Sequence, residues 1–185
     1  LKDIFTNLNT LGNANGVGDV FGSQKLSSTS TTQTINPAYT AAKAAYDAAK
    51  ATADSAKSTV DNTLSDVLAE FNSKSNVPNA GYTHNGVNYS TVYSNWINAV
   101  SNWIANDVKS SSGDYATSIS LSNFTSSSTY SIMCSSATSI EKDSYDYIAG
   151  ISGGIAGLPT LGQDLTAAIN SKGSDYTSQA QAYNA

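Results

Sequence analysis

PAYTAAKAAYDAAKATADSAKSTVDNTLSDVLAEFNS, residues 37–73, repeats every seven residues. Tyr39, Tyr46, Ala53, Val60 and Val67 form one row, and Ala42, Ala49 and Ala56 form its companion. Lys43, Lys50 and Lys57 recur at the same period, as do Asp47, Asp54 and Asp61. Each lysine stands four residues before an aspartate, so one helical turn brings every pair together on the outer face. A sustained seven-residue period on a helix of 3.6 residues per turn calls for a left-handed supercoil. Alanine along the seam lets a partner helix come close. After Val60 the seam thickens with Leu64, Val67, Leu68 and Phe71, which reads as entry into a fuller core. Asn36 is a fitting cap and Pro37 a fitting first helical residue. A helix over about 37–73 would be roughly 55 Å long.

The next helical pattern, about 91–109, also repeats at seven: Ser94-Asn95-Trp96-Ile97, then Ser101-Asn102-Trp103-Ile104. Val92, Tyr93, Trp96, Val100, Trp103 and Val108 share one apolar face with the two isoleucines, and Ser90 is the expected cap. The matching periods predict antiparallel pairing with the long helix, with Trp and Ile filling the space that alanine leaves. Between the two, SNVPNAG at 75–81 breaks the helix. YTHNGVNY at 82–89 then reads as a protruding β-hairpin on an Asn85-Gly86 turn.

The fold class expected is mainly α, with shorter helices after 137. One spans about 137–152 with Ala137, Ile140, Ile148 and Ile151 inward; another spans Asp164 to Lys172 and stops at Gly173. The Ser/Thr-rich stretch 110–136 reads equally as short strands or poor helix. Residues 1–36 read as a short amphipathic helix (Leu1, Ile4, Phe5, Leu8, Leu11) followed by a Gly/Ser/Thr-rich arm. The helical domain is then 37–173, and 174–185 a polar C-terminal tail.

Composition narrows the function classes. There is no arginine, and charged residues are 12% of the chain, against roughly a quarter in an ordinary soluble domain. Hydroxyl and amide groups wet the surface instead. Such a surface fits proteins outside the cell, at its surface or in a virion, where weakly repelling subunits approach closely. The net charge is −5 and the pI about 4.5. Nucleic-acid binding needs clustered cations and is not expected. Cys134 is the single cysteine, which excludes an intrachain disulfide, and it reads as a small buried hydrophobe. No run of about 18 apolar residues marks a transmembrane helix. An opening Leu1 fits removal of a leader, or a fragment.

Chemistry-bearing motifs are weak. Gly150-Ile151-Ser152-Gly153-Gly154 matches a hydrolase nucleophile elbow, but that elbow needs a preceding strand and a later histidine, and the single histidine is His84. Ala149, Gly153 and Gly157 read better as a small-residue helix contact. Glu141, Asp143 and Asp146 read as a solvated face, and the spacing of Gly16, Gly18 and Gly22 does not fit a dinucleotide loop. No catalytic, cofactor or metal residue is assigned. Asn88-Tyr89-Ser90 and Asn123-Phe124-Thr125 are glycosylation sequons at Asn88 and Asn123. Tyr82, Tyr89 and Tyr93 are candidates for stacking on a carbohydrate, whereas Trp96 and Trp103 read as core.

The function expected is an exported, non-enzymatic structural subunit that assembles with copies of itself into an extracellular or cell-surface filament, sheet or coat. Its expected seam is Tyr39, Ala42, Tyr46, Ala49, Ala53 and Ala56. Two alternatives share these observations: a surface-binding adhesin recognising glycans or a partner protein through the hairpin aromatics, and a virion coat protein.

Overall fold

The computed structural model describes residues 36–78, 83–84, 86–110, 112–150 and 160–185. The expected short helix and arm at 1–36 lie outside these, apart from Asn36. The chain divides into two compact units, Leu1–Ala45 and Tyr46–Ala185, and the core lies in the second. The described residues are mainly helical: α1 (Pro37–Lys74), α2 (Tyr89–Trp103), α3 (Leu121–Thr125), α4 (Ser128–Ser135), α5 (Ser139–Ala149), α6 (Leu161–Lys172) and α7 (Tyr176–Asn184).

Asn36 starts α1 by accepting from the Ala38 backbone N–H at 2.9 Å. Of this helix only Val60, Leu64, Val67 and Phe71 are buried, a single stripe at helical spacing. The short strands β1 (Thr83–His84) and β2 (Val87–Asn88) pair antiparallel, with Gly86 at φ 79° between them. They do not stand clear of the body: β2 lies beside α2 and α5, and Val87 is half-buried. The cap of α2 is Asn88, not Ser90. Its Oδ1 accepts from the Ser90 N–H at 3.0 Å and the Ser90 hydroxyl at 2.7 Å.

Past Trp103 the helix widens into a π turn, Ile104–Val108. The face Trp96, Val100, Trp103 would next bring Asp107 inward. The extra residue of the π turn brings Val108 in instead, 1% exposed. Asp107 is thereby free to accept from the Thr129 N–H at 2.9 Å and the Ser128 hydroxyl at 2.7 Å, at the start of α4.

The serine-rich stretch begins as non-helical chain, with an isolated antiparallel bridge between Lys109 and Tyr115, and from Leu121 resolves into helices because serines cap them. Ser120 accepts from the Asn123 N–H to start α3, and Ser127 from the Tyr130 N–H to start α4. Thr138 and Glu141 form a reciprocal capping box on α5. That start sets the inward face as Ser144, Tyr145, Ile148 and Ala149. Ile140, expected inward, is therefore turned outward. Gly150, with φ 77°, ends α5 in the left-handed conformation that glycine adopts readily.

α6 begins at Leu161, three residues before the expected start. A Cβ on its Gly162 would lie 2.0 Å from the Ala149 carbonyl oxygen, so α5 and α6 touch backbone to backbone there. Of the expected small-residue contact, Ala149 takes part, while Gly153 and Gly157 lie outside the described residues. α6 ends at Gly173, as the sequence predicts.

The stretch expected as a polar tail is instead the packed helix α7. Tyr176 and Ala180 are fully buried, and the Tyr176 hydroxyl donates to the Ala116 carbonyl at 2.8 Å. A polar composition hid this because two inward residues suffice to anchor one side of a short helix.

The core is a run of rings. Trp96 meets Phe71 at 6.0 Å and Phe124 edge-on at 4.8 Å, and Phe124 also meets Trp103 and Tyr130. The tryptophans are core, but they do not fill the alanine rows. The closest backbone neighbours of α2 are α4, α5 and the π turn. α1 joins the core through its last third: Phe71 on Trp96, Thr63 donating to Gln179 of α7 at 2.6 Å, and Asp61 accepting from Tyr115.

Candidate functional site

Two surfaces concentrate unusual chemistry. The first is the leading part of α1. Every residue from Asn36 to Ser55 is exposed, and only Ala56 and Lys57 are half-buried before Val60. The seam residues Tyr39, Ala42, Tyr46, Ala49 and Ala53 are therefore open, with Tyr46 66% exposed. The polar groups of this stretch satisfy themselves along the helix. Lys50 pairs with Asp54 and Lys57 with Asp61. Thr52 and Thr59 donate to the carbonyl four residues back. The Asp54 hydrogen bond raises the Lys50 ammonium above its ordinary range.

A polar cluster marks where exposure ends. Asp61 accepts from both Lys57 and Tyr115. Burial pushes the Asp61 carboxyl up, but these donors outweigh it and hold the group below the usual carboxylate range. Burial, then the bond to Asp61, pushes the Tyr115 phenol up to about 12.

The second surface is a groove of about 570 Å³ between α2 and the α4–α5 pair. One wall is a ladder of carboxamides: Asn95, Asn98, Asn102 and Asn106. The other wall brings Ile132, Met133 and Tyr145. Tyr145 is 3% exposed. Its hydroxyl accepts from the Asn95 amide at 3.1 Å, and no described residue takes its proton. Asn106 donates to the Asn102 carbonyl at 2.9 Å. The Asn98 and Asn102 side chains bond to no other described residue. The groove's one charged residue, Glu141, is occupied by the Thr138 backbone and hydroxyl, which lower its pKa. The arrangement offers neutral donors and acceptors over an apolar floor, and no fixed positive charge for an anion.

Other candidates disperse. Tyr89 and Tyr93 are both fully buried, because the helix begins at Tyr89 and carries both rings on its inward face. They are unavailable for stacking on a carbohydrate, and Tyr82 lies outside the described residues. Asn88 and Asn123 are exposed, although both side-chain oxygens serve local structure, at the α2 start and toward Ser120 respectively.

Glu141 serves its cap, while Asp146 is held by Lys142 at 2.9 Å and accepts from Tyr130 at 3.0 Å. Among the described residues no group of His, Cys, Asp and Glu converges on a metal position, and none forms a helix long and apolar enough to cross a membrane. Gly150 follows a helix, not the strand a nucleophile elbow requires. Ser152 and the glycines at 16, 18 and 22 lie outside the described residues, as does the His84 side chain. Cys134 is half-buried, and burial pushes its thiol up.

The asparagine ladder was legible in principle. Positions 95, 98, 102 and 106 share one side of a helix whose other side is apolar, and all four are amides. Its facing wall was not, since α4 could not be told from a strand. Comparison with protein-family models, curated proteins and solved structures found no match to this chain.

Proposed function

We propose that this chain is a structural subunit that assembles with copies of itself, outside the cell or on its surface, through the alanine seam of α1. The observation that carries the reading is the exposure of Asn36–Ser55 along a strict heptad repeat. A seven-residue period is useful only to a second helix that follows the same supercoil. Within the chain, the next longest described helix, α2, has 15 residues and meets α1 through Trp96 on Phe71, beyond the alanine rows. A second copy supplies a helix of the same length and period. Alanine at 42, 49, 53 and 56 permits close approach, and Tyr39 and Tyr46 supply area at one end. The low charge content of the chain weakens the long-range repulsion that would oppose crowding of like subunits.

The test is the mass of the protein by light scattering across a concentration series, with electron microscopy of the same samples. Mass that grows with concentration, with filaments, sheets or shells in the images, supports the reading. A monomer at every concentration overturns it.

A further inference from the structure

The asparagine groove carries a second inference, which rests on the self-assembly reading and names a segment that takes part. The chain already shows how it uses a carboxamide against a peptide group. The Asn184 Oδ1 accepts from the Tyr115 N–H at 2.9 Å, and its Nδ2 donates to the Tyr115 carbonyl at 2.8 Å. One side chain thus stands in for a neighbouring strand.

In the groove, Asn98 and Asn102 present carboxamides with both halves open, and Asn106 keeps its Oδ1 after donating to Asn102. Four residues of helix rise about 6 Å. Alternate residues of an extended strand recur at roughly 6.6–6.8 Å. Successive carboxamides can therefore meet successive alternate peptide groups, with a mismatch of under about 1 Å at each step. Tyr145 adds an oriented hydroxyl whose proton no described residue takes. Ile132, 66% exposed, and Met133 give the facing wall an apolar surface for small side chains. With no cation in the lining and Glu141 already hydrogen-bonded, an anionic ligand has no counter-charge. With no exposed aromatic ring among the groove's lining residues, a sugar has no stacking platform here.

We propose that this groove binds an extended, uncharged polypeptide segment, and that the occupant is the Ser/Thr run SSTSTTQT, residues 27–34, of a second copy. That run carries no charge, and four of its eight residues are threonine, a residue favoured in extended conformations. Backbone pairing with the ladder gives affinity without demanding particular side chains, as in strand addition to a sheet edge.

The test titrates full-length protein, at concentrations where scattering shows a monomer, into a fluorescently labelled peptide of residues 23–36, read by anisotropy. The expected result is saturable binding that weakens at least tenfold in an Asn98→Asp/Asn102→Asp variant. Asn62→Asp, on exposed α1, keeps the wild-type affinity, and circular dichroism verifies that both variants are folded. A peptide with Ser28→Asp and Thr31→Asp is expected not to bind. No saturation up to millimolar protein overturns the proposal, as does equal affinity for the groove variant. The two readings separate cleanly. Peptide binding by a protein that never assembles keeps the groove as a peptide site but overturns its second-copy occupant along with the α1 seam, whereas assembly without peptide binding upholds the seam and overturns the groove.

Discussion

The leading and trailing parts of α1 share one heptad and one helix, yet differ in what covers them. From Asn36 to Ser55 every residue is exposed; from Val60 on, Val60 and Val67 of the Tyr39 row are buried together with Leu64 and Phe71, which continue the row of Lys43, Lys50 and Lys57. The period does not change between them. The residue types do: lysine gives way to Leu64 and Phe71 on one row, and Ala53 to Val60 and Val67 on the other. Alanine removes little area from water, whereas burying a Val, Leu or Phe contributes about 1.5–3 kcal/mol each. That gain offsets the entropy of ordering a neighbour against the helix. The chain covers the part of its long helix where coverage is rewarded and leaves the alanine part exposed.

The comparison can be broken most directly in the buried part. Phe71→Ala removes a ring packed on Trp96 and is expected to cost about 3–5 kcal/mol in urea unfolding. A loss under about 1 kcal/mol would mean that the trailing part is not core. Val60→Ala, at the first buried position, deletes two methyl groups and is expected to cost about 1.5 kcal/mol by the same measurement. It fixes where coverage begins.

Tyr115→Phe tests the polar boundary between the two parts. It removes the donor to Asp61, whose side chain is 44% exposed, so solvent screening holds the cost to about 1 kcal/mol. The same tyrosine sets an alkaline signature. Its folded pKa is raised to about 12 from an ordinary 10.0, so the folded state retains a proton that the unfolded chain gives up. Stability from this group is complete below pH 10 and is lost as pH rises toward 12. Tyr130 and Tyr176 are raised as well, chiefly by burial. Tyrosinate absorbance is expected to show a late phase that coincides with alkaline unfolding and shrinks in Tyr115→Phe.

The smallest effect on the folded monomer belongs to the exposed part. Ala49→Glu/Ala53→Glu is expected to change monomer stability by no more than about 0.5 kcal/mol, while abolishing the concentration-dependent mass. A large loss of monomer stability would place these alanines in a contact within the chain. Unchanged assembly would remove them from the seam.

Much of this was legible in residues alone. Asn36-Pro37 marked the start of α1, and the change from Ala to Val and Leu at 60–64 marked its entry into the core. Trp96 and Trp103 declared an inward face. The short helices were harder, because serine competes for backbone hydrogen bonds as readily in a turn as at a helix start. Only the positions of Ser120, Ser127 and Thr138 against their partner N–H groups decide the matter. For the same reason Tyr89 and Tyr93 read as a surface platform until a cap at Asn88 carried them inward.

Sequence by itself determined a mainly helical chain, the length and period of α1, and a surface wetted by hydroxyls and amides. These are local or additive properties, read from spacing and composition. Tertiary structure alone decided that α7 is packed, that a π turn exchanges Asp107 for Val108, and that four asparagines face a groove. Each depends on which groups meet across tens of residues of chain, and such meetings leave no period in the sequence to read.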